Sequence, residues 1–155
     1  MVNVIETILR ISLGLRFLHS GFSNIQRWPN PVDNARLVFP FGATFFGYIA
    51  VILEIAGGTG LILGIQTHIA ASMIVLFMIP TLKIHYHWLC TLPPIIEEVN
   101  NALPQHEDKR KFSILSGQAY HSHEIAWQNN LLFLIVALFF TFRGSVTFGL
   151  DNWIQ

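Results

Sequence analysis

The chain has 155 residues, of which 52% are hydrophobic and 12% are charged, and its formal net charge is zero. A soluble domain usually has about 25% charged residues, so this composition argues against a soluble protein and favours an integral membrane protein. Nine lysines and arginines are too few for a nucleic-acid-binding protein, and the single cysteine, Cys90, excludes an internal disulfide and a CxxC motif.

Four segments are apolar and long enough to form membrane-spanning helices. A hydrocarbon core about 30 Å thick needs roughly 20 mostly apolar residues in a helix. The segments are residues 4–22, 41–64, 68–88 and 125–148. We therefore predict an all-α integral membrane protein, one domain over residues 1–155, with a bundle of four transmembrane helices.

The connections between these helices differ in length and polarity. Residues 23–40 are rich in turn-forming residues, and residues 65–68 are short enough for a tight helical hairpin. Residues 89–124 are polar, and we predict a long loop there that contains a short surface helix beginning at Pro94. This loop is a candidate docking surface for a partner.

Two ionisable residues lie deep inside the predicted spans, where each costs about 2.5–3.5 kcal/mol and so suggests a function. Glu54 lies 12 residues after the start of the second helix at Gly42. Arg10 lies 12 residues before the end of the first helix at Phe22. Both therefore lie about 18 Å from the same side. We predict that Arg10 and Glu54 face each other as a buried pair, with either a structural role or a direct role in binding or proton transfer.

A shallower group of side chains is cationic and rich in histidine. Arg16 and His19 share a face of the first helix, and Lys83 and His87 share a face of the third, whereas His85 points elsewhere. This pattern predicts a vestibule that suits a quinone headgroup, because quinone carbonyls accept hydrogen bonds and quinone reduction takes up protons. A small anion also suits it. A simpler interpretation is that these side chains extend to the membrane surface.

Metal and haem sites have weaker signals. His121, His123 and Glu124 lie close together in the predicted loop, but no further ligand cluster accompanies them, and we predict no metal site. A b-type haem needs two facing histidines, for example His19 with His87. We predict no intrinsic cofactor, with quinone as the candidate ligand.

Glycines are concentrated in the second predicted helix. They are Gly57, Gly58, Gly60 and Gly64, and the last two have GxxxG spacing. Small residues let helices approach closely in lipid, so these glycines predict close helix packing.

Four stretches of the chain together resemble the DoxX family of small four-helix membrane proteins. They are ILRISLGLRFLHSGFSNI, LEIAGGTGLILGIQTH, LKIHYHW and HEIAWQNNLLFLIVALFFTFRGSVTFGLD. The family features fall on Arg10, Gly14, Glu54, Gly57, Gly58, Gly64, His85 or His87, Gly144, Leu150 and Asp151, and Glu124 resembles a Glu before helix 4. The chain departs from the family in its long segment 89–123 and in the ending RGSVTFGLD.

The resemblance implies an association with thiosulfate:quinone oxidoreductase and with membrane oxidoreductase complexes, although relatives include a secretory-pathway cargo receptor, so the fold does not fix the function. We expect a subunit of such a complex, in contact with other subunits, in the bacterial inner membrane. The candidate catalytic residues are Glu54 and Arg10, and the candidate binding residues are Arg16, His19, Lys83, His85, His87 and Glu124. The alternatives are a non-catalytic scaffold that docks a partner through residues 89–124, and a transporter of a small anion or lipid.

Overall fold

The computed structural model describes residues 2–103, 106–144 and 149–151. The secondary-structure elements within these residues are all helices. The helices are α1 (Val2–Gln26), α2 (Asn30–Arg36), α3 (Ala43–Leu63), α4 (Thr67–Ala102) and α5 (His106–Arg143). The prediction of an all-α protein is confirmed.

Three of these helices are long and apolar enough to cross a membrane, namely α3, α4 and the segment Glu107–Arg143 of α5. They identify the chain as an integral membrane protein. The first helix, α1, is 25 residues long but carries Glu6, Arg10 and Arg16. It is therefore not among the helices that are both long and apolar enough to cross a membrane. The prediction of four spans is therefore supported for three helices.

The predicted polar loop over residues 89–124 is wrong. The helix α4 continues to Ala102, and α5 begins at His106, so only a short connection separates them. Pro94 does not start a separate surface helix but lies inside α4, next to Pro93. Each proline removes one backbone donor, and α4 stays helical because it packs along the facing part of α5.

Other predicted bounds differ less. The first helix was predicted over 4–22 and extends over Val2–Gln26, whereas the second and third begin within two residues of their predicted starts. The fourth, predicted over 125–148, ends at Arg143. Residues 145–148 lie outside the described residues.

The α4–α5 hairpin is longer than a membrane is thick. Its helices have 36 and 38 residues, so they are about 54 and 57 Å long, against a hydrocarbon core of about 30 Å. The polar residues are concentrated at the end where the two helices connect. We therefore expect residues 93–103 and 106–115, which we call the helical tip, to project beyond the bilayer.

Small residues set the packing of the long helices, as the sequence predicted. Gly58 in α3 packs against Gly14 and Leu18 of α1, whereas Gly57 packs against Ala70 and Ile74 of α4. The buried core between the helices consists of Leu13, Phe17, Leu61, Ala70, Ala71, Ile74, Met78, Ala137 and Phe140. Many large apolar side chains outside this core are exposed, as expected of surfaces that face lipid.

The short helix α2 packs on the start of α3. Val32 and Ala35 are buried against Ala43, with Phe46 beside them. A Cβ at position 47 would lie 3.0 Å from the Val32 side chain and 3.1 Å from its backbone, so Gly47 lets the two helices approach closely. This contact places α2 at one side of the helix bundle.

Residues 149–151 hold the turn between α3 and α4. The Asp151 N–H donates to the Gly64 carbonyl at 2.8 Å. One Asp151 carboxylate oxygen accepts from the Gln66 N–H at 2.6 Å, and the other accepts from the Thr67 N–H at 3.0 Å and from the Thr67 hydroxyl at 2.8 Å. Asp151 therefore caps the N-terminus of α4 from a distant part of the chain.

Candidate functional site

A cavity of about 620 Å³ lies between the helices, and all five helices contribute to its wall. Its volume is within the range of sites that bind small molecules. Most of the wall is apolar, with five phenylalanines at positions 17, 39, 46, 77 and 133. A few polar side chains interrupt this surface, which is the usual composition of a site for an apolar ligand with a small number of oriented polar groups.

Glu54 is the buried carboxyl group of this cavity. Its side chain is 0% exposed, and Oε2 accepts a hydrogen bond from the Asn24 amide nitrogen at 2.6 Å. The other oxygen, Oε1, is buried and has no hydrogen-bond partner among the described residues. An unpaired buried polar atom costs about 1–3 kcal/mol. Ser20 also interacts with this carboxyl, and Oε1 has no exposed surface, so a ligand in the cavity would reach Oε1 only after a side-chain movement.

The predicted pair between Arg10 and Glu54 is wrong. The guanidinium of Arg10 donates to the Leu61 carbonyl at 2.5 Å, whereas the α1 residue that packs against Glu54 is Gly21. Arg10 is 11 residues from Gly21 along α1, about 16 Å along the helix axis. The prediction failed because it measured depth from assumed helix ends, whereas the glycine contacts between α1 and α3 set a different register.

A pair of histidines joins α4 and α5 on another part of the cavity wall. The Nδ1 atoms of His85 and His123 are 3.0 Å apart, which is hydrogen-bond distance. The indole of Trp88 stacks on the His123 ring, with centroids 5.7 Å apart and an angle of 19° between the planes. All three side chains line the cavity.

Three of the eight predicted site residues line this cavity, namely Arg16, Glu54 and His85. Arg16 lies with its guanidinium carbon 5.9 Å from the centre of the Phe133 ring, at a distance where the cation and the aromatic face attract each other. The prediction that His85 points away from the site does not fit its place on the cavity wall.

The other predicted binding residues lie outside the cavity wall. His19, Lys83 and His87 are exposed, and Glu124 pairs with His121 at 3.1 Å. The predicted vestibule therefore does not form from these four residues. In α4, the face that lines the cavity is the one with Pro80, Ile84 and Trp88, and Lys83 and His87 lie on a different face.

Several polar residues of the wall were missed by sequence reasoning. Ser20 and Asn24 follow Arg16 at intervals of four residues and line the cavity with it, and this spacing on one helix face was a readable signal. His123 and Asn130 also line the cavity. His123 was assigned to a loop, so its position opposite α4 could not be deduced.

Pro80 interrupts the backbone hydrogen bonds of α4 beside the cavity. It lies inside α4 and has no N–H, so the Leu76 carbonyl loses its usual helical donor. Leu76 and Pro80 both line the cavity.

The structure shows which contacts the candidate metal and haem residues make. Among the described residues, no group of three or more histidine, cysteine, aspartate or glutamate side chains is placed to hold a metal ion. His121 pairs with Glu124, whereas His123 pairs with His85. The candidate haem ligands His19 and His87 do not line the cavity.

Comparison with known proteins identifies the family. The family model described as DoxX matches residues 5–88, which is more than half of the chain. Neither the curated proteins nor the solved structures that were searched gave a match. The matched region contains most of α1, all of α2 and α3, and the part of α4 that lines the cavity. The chain is a member of the DoxX family.

Proposed function

We propose that this chain is a membrane subunit of an oxidoreductase complex in the bacterial inner membrane and that its cavity holds the headgroup of a quinone. The observation that carries this proposal is the unpaired oxygen of Glu54, which is fully buried beside an aromatic cavity of about 620 Å³. The two electrons for quinone reduction would come from a redox group on a partner subunit.

The chemistry of the wall fits a quinone ring better than a small anion. The ring is flat and apolar, which suits the phenylalanines, and it has carbonyl groups at two ends. The carboxyl of Glu54 in its protonated form donates to one carbonyl. Among the described residues of the wall, Arg16 is the one lysine or arginine, so a small anion has little charge to bind it.

We further propose that α1 is the fourth membrane span. Two of its three charged residues are held inside the protein, since Glu6 is 8% exposed and Arg10 is 2% exposed, and the third, Arg16, is exposed and lines the cavity. Glu6 lies 3.9 Å from Arg143 of α5. A helix whose charges are buried against other helices presents its apolar residues to lipid, which compensates for its lower overall hydrophobicity.

The test is the amount of quinone that stays with the purified protein. We expect Glu54→Leu to lower the affinity for quinone about tenfold, because one hydrogen bond to a ring carbonyl is worth about 1.4 kcal/mol. Glu54→Gln keeps a donor for the carbonyl, so it should retain quinone but lower quinone-dependent turnover of the assembled complex. Glu97→Leu, at an exposed site outside the cavity, is the matched control for the first change.

Quinone is counted by native mass spectrometry after mild detergent extraction and by solvent extraction of the same sample. Equal quinone in the wild type and in Glu54→Leu would contradict a site at Glu54. A folded wild-type protein that neither retains nor rebinds quinone would overturn the proposed function as a whole.

A second candidate function is a scaffold that docks a partner through the helical tip. The observation in its favour is that the tip projects beyond the length needed to cross a bilayer. His85 faces His123, and α4 and α5 are antiparallel. Two residues whose numbers sum to about 208, as 85 and 123 do, therefore face each other at the same level of the hairpin. A cut that removes 93–115 therefore joins the two helices at the same level.

Replacing residues 93–115 with a short Gly–Ser linker distinguishes the two functions. If the tip is the docking surface, we expect the partner subunits to be lost on co-purification while the quinone content stays unchanged. Retention of the partners would rule out docking through the tip. Loss of both the partners and the quinone would contradict the independence of tip and cavity.

A further inference from the structure

The two histidines that join α4 and α5 can transfer a proton from one ring to the other, which a purely structural contact between helices does not require. A hydrogen bond between two Nδ1 atoms at 3.0 Å requires one ring to carry its proton on Nδ1 and the other to have Nδ1 free. The donor ring then has a free Nε2 that accepts a proton, and the acceptor ring carries a proton on Nε2. The pair is therefore set up to take a proton at one end and release one at the other.

We propose that His123 and His85 form a proton relay that delivers a proton to a quinone bound in the cavity. This inference rests on the proposed function, because it needs the quinone as the acceptor. His123 takes a proton from water on its Nε2 and passes its Nδ1 proton to Nδ1 of His85. His85 then gives its Nε2 proton to an oxygen of the reduced ring, which becomes a hydroxyl group.

The reduction of a quinone needs two protons, and the cavity wall has two sources for them, the histidine relay and Glu54. Reduction of a quinone to a quinol takes up two electrons and two protons. The relay supplies one proton, after which both rings carry their protons on the opposite nitrogens and must be reset before the next transfer. The second proton comes from Glu54 on α3, on a different helix from either histidine. Glu54 and His85 line the same cavity, so a ring bound there would take its two protons from different helices.

Trp88 holds the relay in position. Its indole is nearly parallel to the His123 ring, so it restricts rotation of that ring out of the plane that makes the hydrogen bond. Trp88 is three residues after His85 in α4. His85 touches the ligand directly, whereas His123 acts through His85.

The test separates proton delivery from ligand binding. The full-length protein is placed in lipid nanodiscs with a short-tailed ubiquinone analogue. Reduced methyl viologen, which releases no proton when it is oxidised, supplies the electrons, and an indicator dye follows proton uptake in stopped flow. We expect His123→Gln to keep the bound quinone but to slow proton uptake about a hundredfold, which is the lower end for loss of a general acid. His121→Gln, an exposed histidine that pairs with Glu124 on the same helix, should leave the rate unchanged.

A structural role for His123 predicts a different outcome. In His123→Ala, added imidazole should restore part of the rate if the ring carries protons, and it should restore nothing if the ring only joins the helices. Unchanged uptake in His123→Gln with quinone bound would overturn the relay and leave the proposed function intact. A wild-type protein without bound quinone would overturn both.

A measurement on the wild-type protein covers variants that do not fold. With ¹⁵N-labelled histidine, NMR should show one Nδ1 donor coupled through a hydrogen bond to one Nδ1 acceptor. Two rings that both carry their protons on Nε2, with no coupling between them, would overturn the relay.

Discussion

Gly58→Ala is expected to destabilise the protein by about 3 kcal/mol, because the contact between α1 and α3 is made by the backbones of the two helices. A Cβ at position 58 would lie 2.7 Å from the backbone nitrogen of Leu18 and 2.8 Å from the carbonyl oxygen of Gly14. Backbone atoms cannot move aside as a flexible side chain does, so the helices must separate. Overpacking of a tight contact costs about 1–3 kcal/mol, and sometimes more.

The measurement is the free energy of unfolding in detergent, from a denaturant titration followed by circular dichroism. Gly117→Ala is the matched control, since no atom lies within 4 Å of a Cβ at that position in α5. This change should stabilise the protein by about 0.5–1 kcal/mol, because alanine is the better helix former. A similar effect of both substitutions would show that the α1–α3 contact tolerates a side chain at Gly58.

The same substitution connects packing with the cavity. Asn24 lies in α1 and its bond to Glu54 in α3 depends on the distance between these helices. If α1 moves away, this hydrogen bond of 2.6 Å is among the first contacts to break, and the cavity loses its polar end. We therefore expect Gly58→Ala to lower quinone retention together with stability.

Much of the helical architecture was readable from the sequence because lipid restricts the choices. Backbone groups in a bilayer must be satisfied within the helix, so long apolar segments predict helices well. The glycines of α3 also predicted close packing correctly. Glu54 was identified by its cost in lipid as a residue that must be buried, and it is 0% exposed. These inferences depend on properties of single segments.

The parts that failed depend on how two segments meet. The partner of Glu54 is determined by the register between α1 and α3, and counting residues from assumed helix ends placed Arg10 there instead of Gly21. The contact between His85 and His123 requires a continuous α4–α5 hairpin. Polar composition and Pro93–Pro94 argued for a loop, although polar residues form helices readily where the chain leaves the bilayer.

Asp151→Ala is expected to destabilise the protein by about 1–2 kcal/mol, the usual cost of losing a helix N-cap. Its carboxylate accepts three hydrogen bonds from Gln66 and Thr67 at the start of α4. Thr67 is fully buried, so water replaces these bonds poorly. Asp33→Ala is the control, because Asp33 is exposed and pairs with Arg36 on the surface, where an ion pair contributes about 0.3–0.5 kcal/mol.

The dependence on pH identifies the carboxylate as the source of this stability. Burial raises the pKa of the Asp151 carboxyl. The hydrogen bonds from Thr67 and Gln66, together with the charge of Arg10, lower this pKa by more than burial raises it, so the pKa lies below its usual value. A carboxyl whose pKa is lower in the folded state stabilises the protein fully above its unfolded pKa of about 3.9. That contribution is lost as the pH falls through the folded value.

The unfolding free energies of the wild type and of Asp151→Asn, compared between pH 6 and pH 3, test this account. The two proteins should differ most at pH 6, and the difference should shrink below about pH 4, where the Asp151 carboxyl of the unfolded chain takes up its proton while that of the folded protein stays ionised. Asparagine keeps one oxygen acceptor but has no charge. The difference in unfolding free energy between the two proteins therefore measures mainly what the negative charge of Asp151 contributes. A difference that stays constant down to pH 3 would mean that shape and neutral hydrogen bonding, rather than the negative charge, hold residues 149–151 against the start of α4.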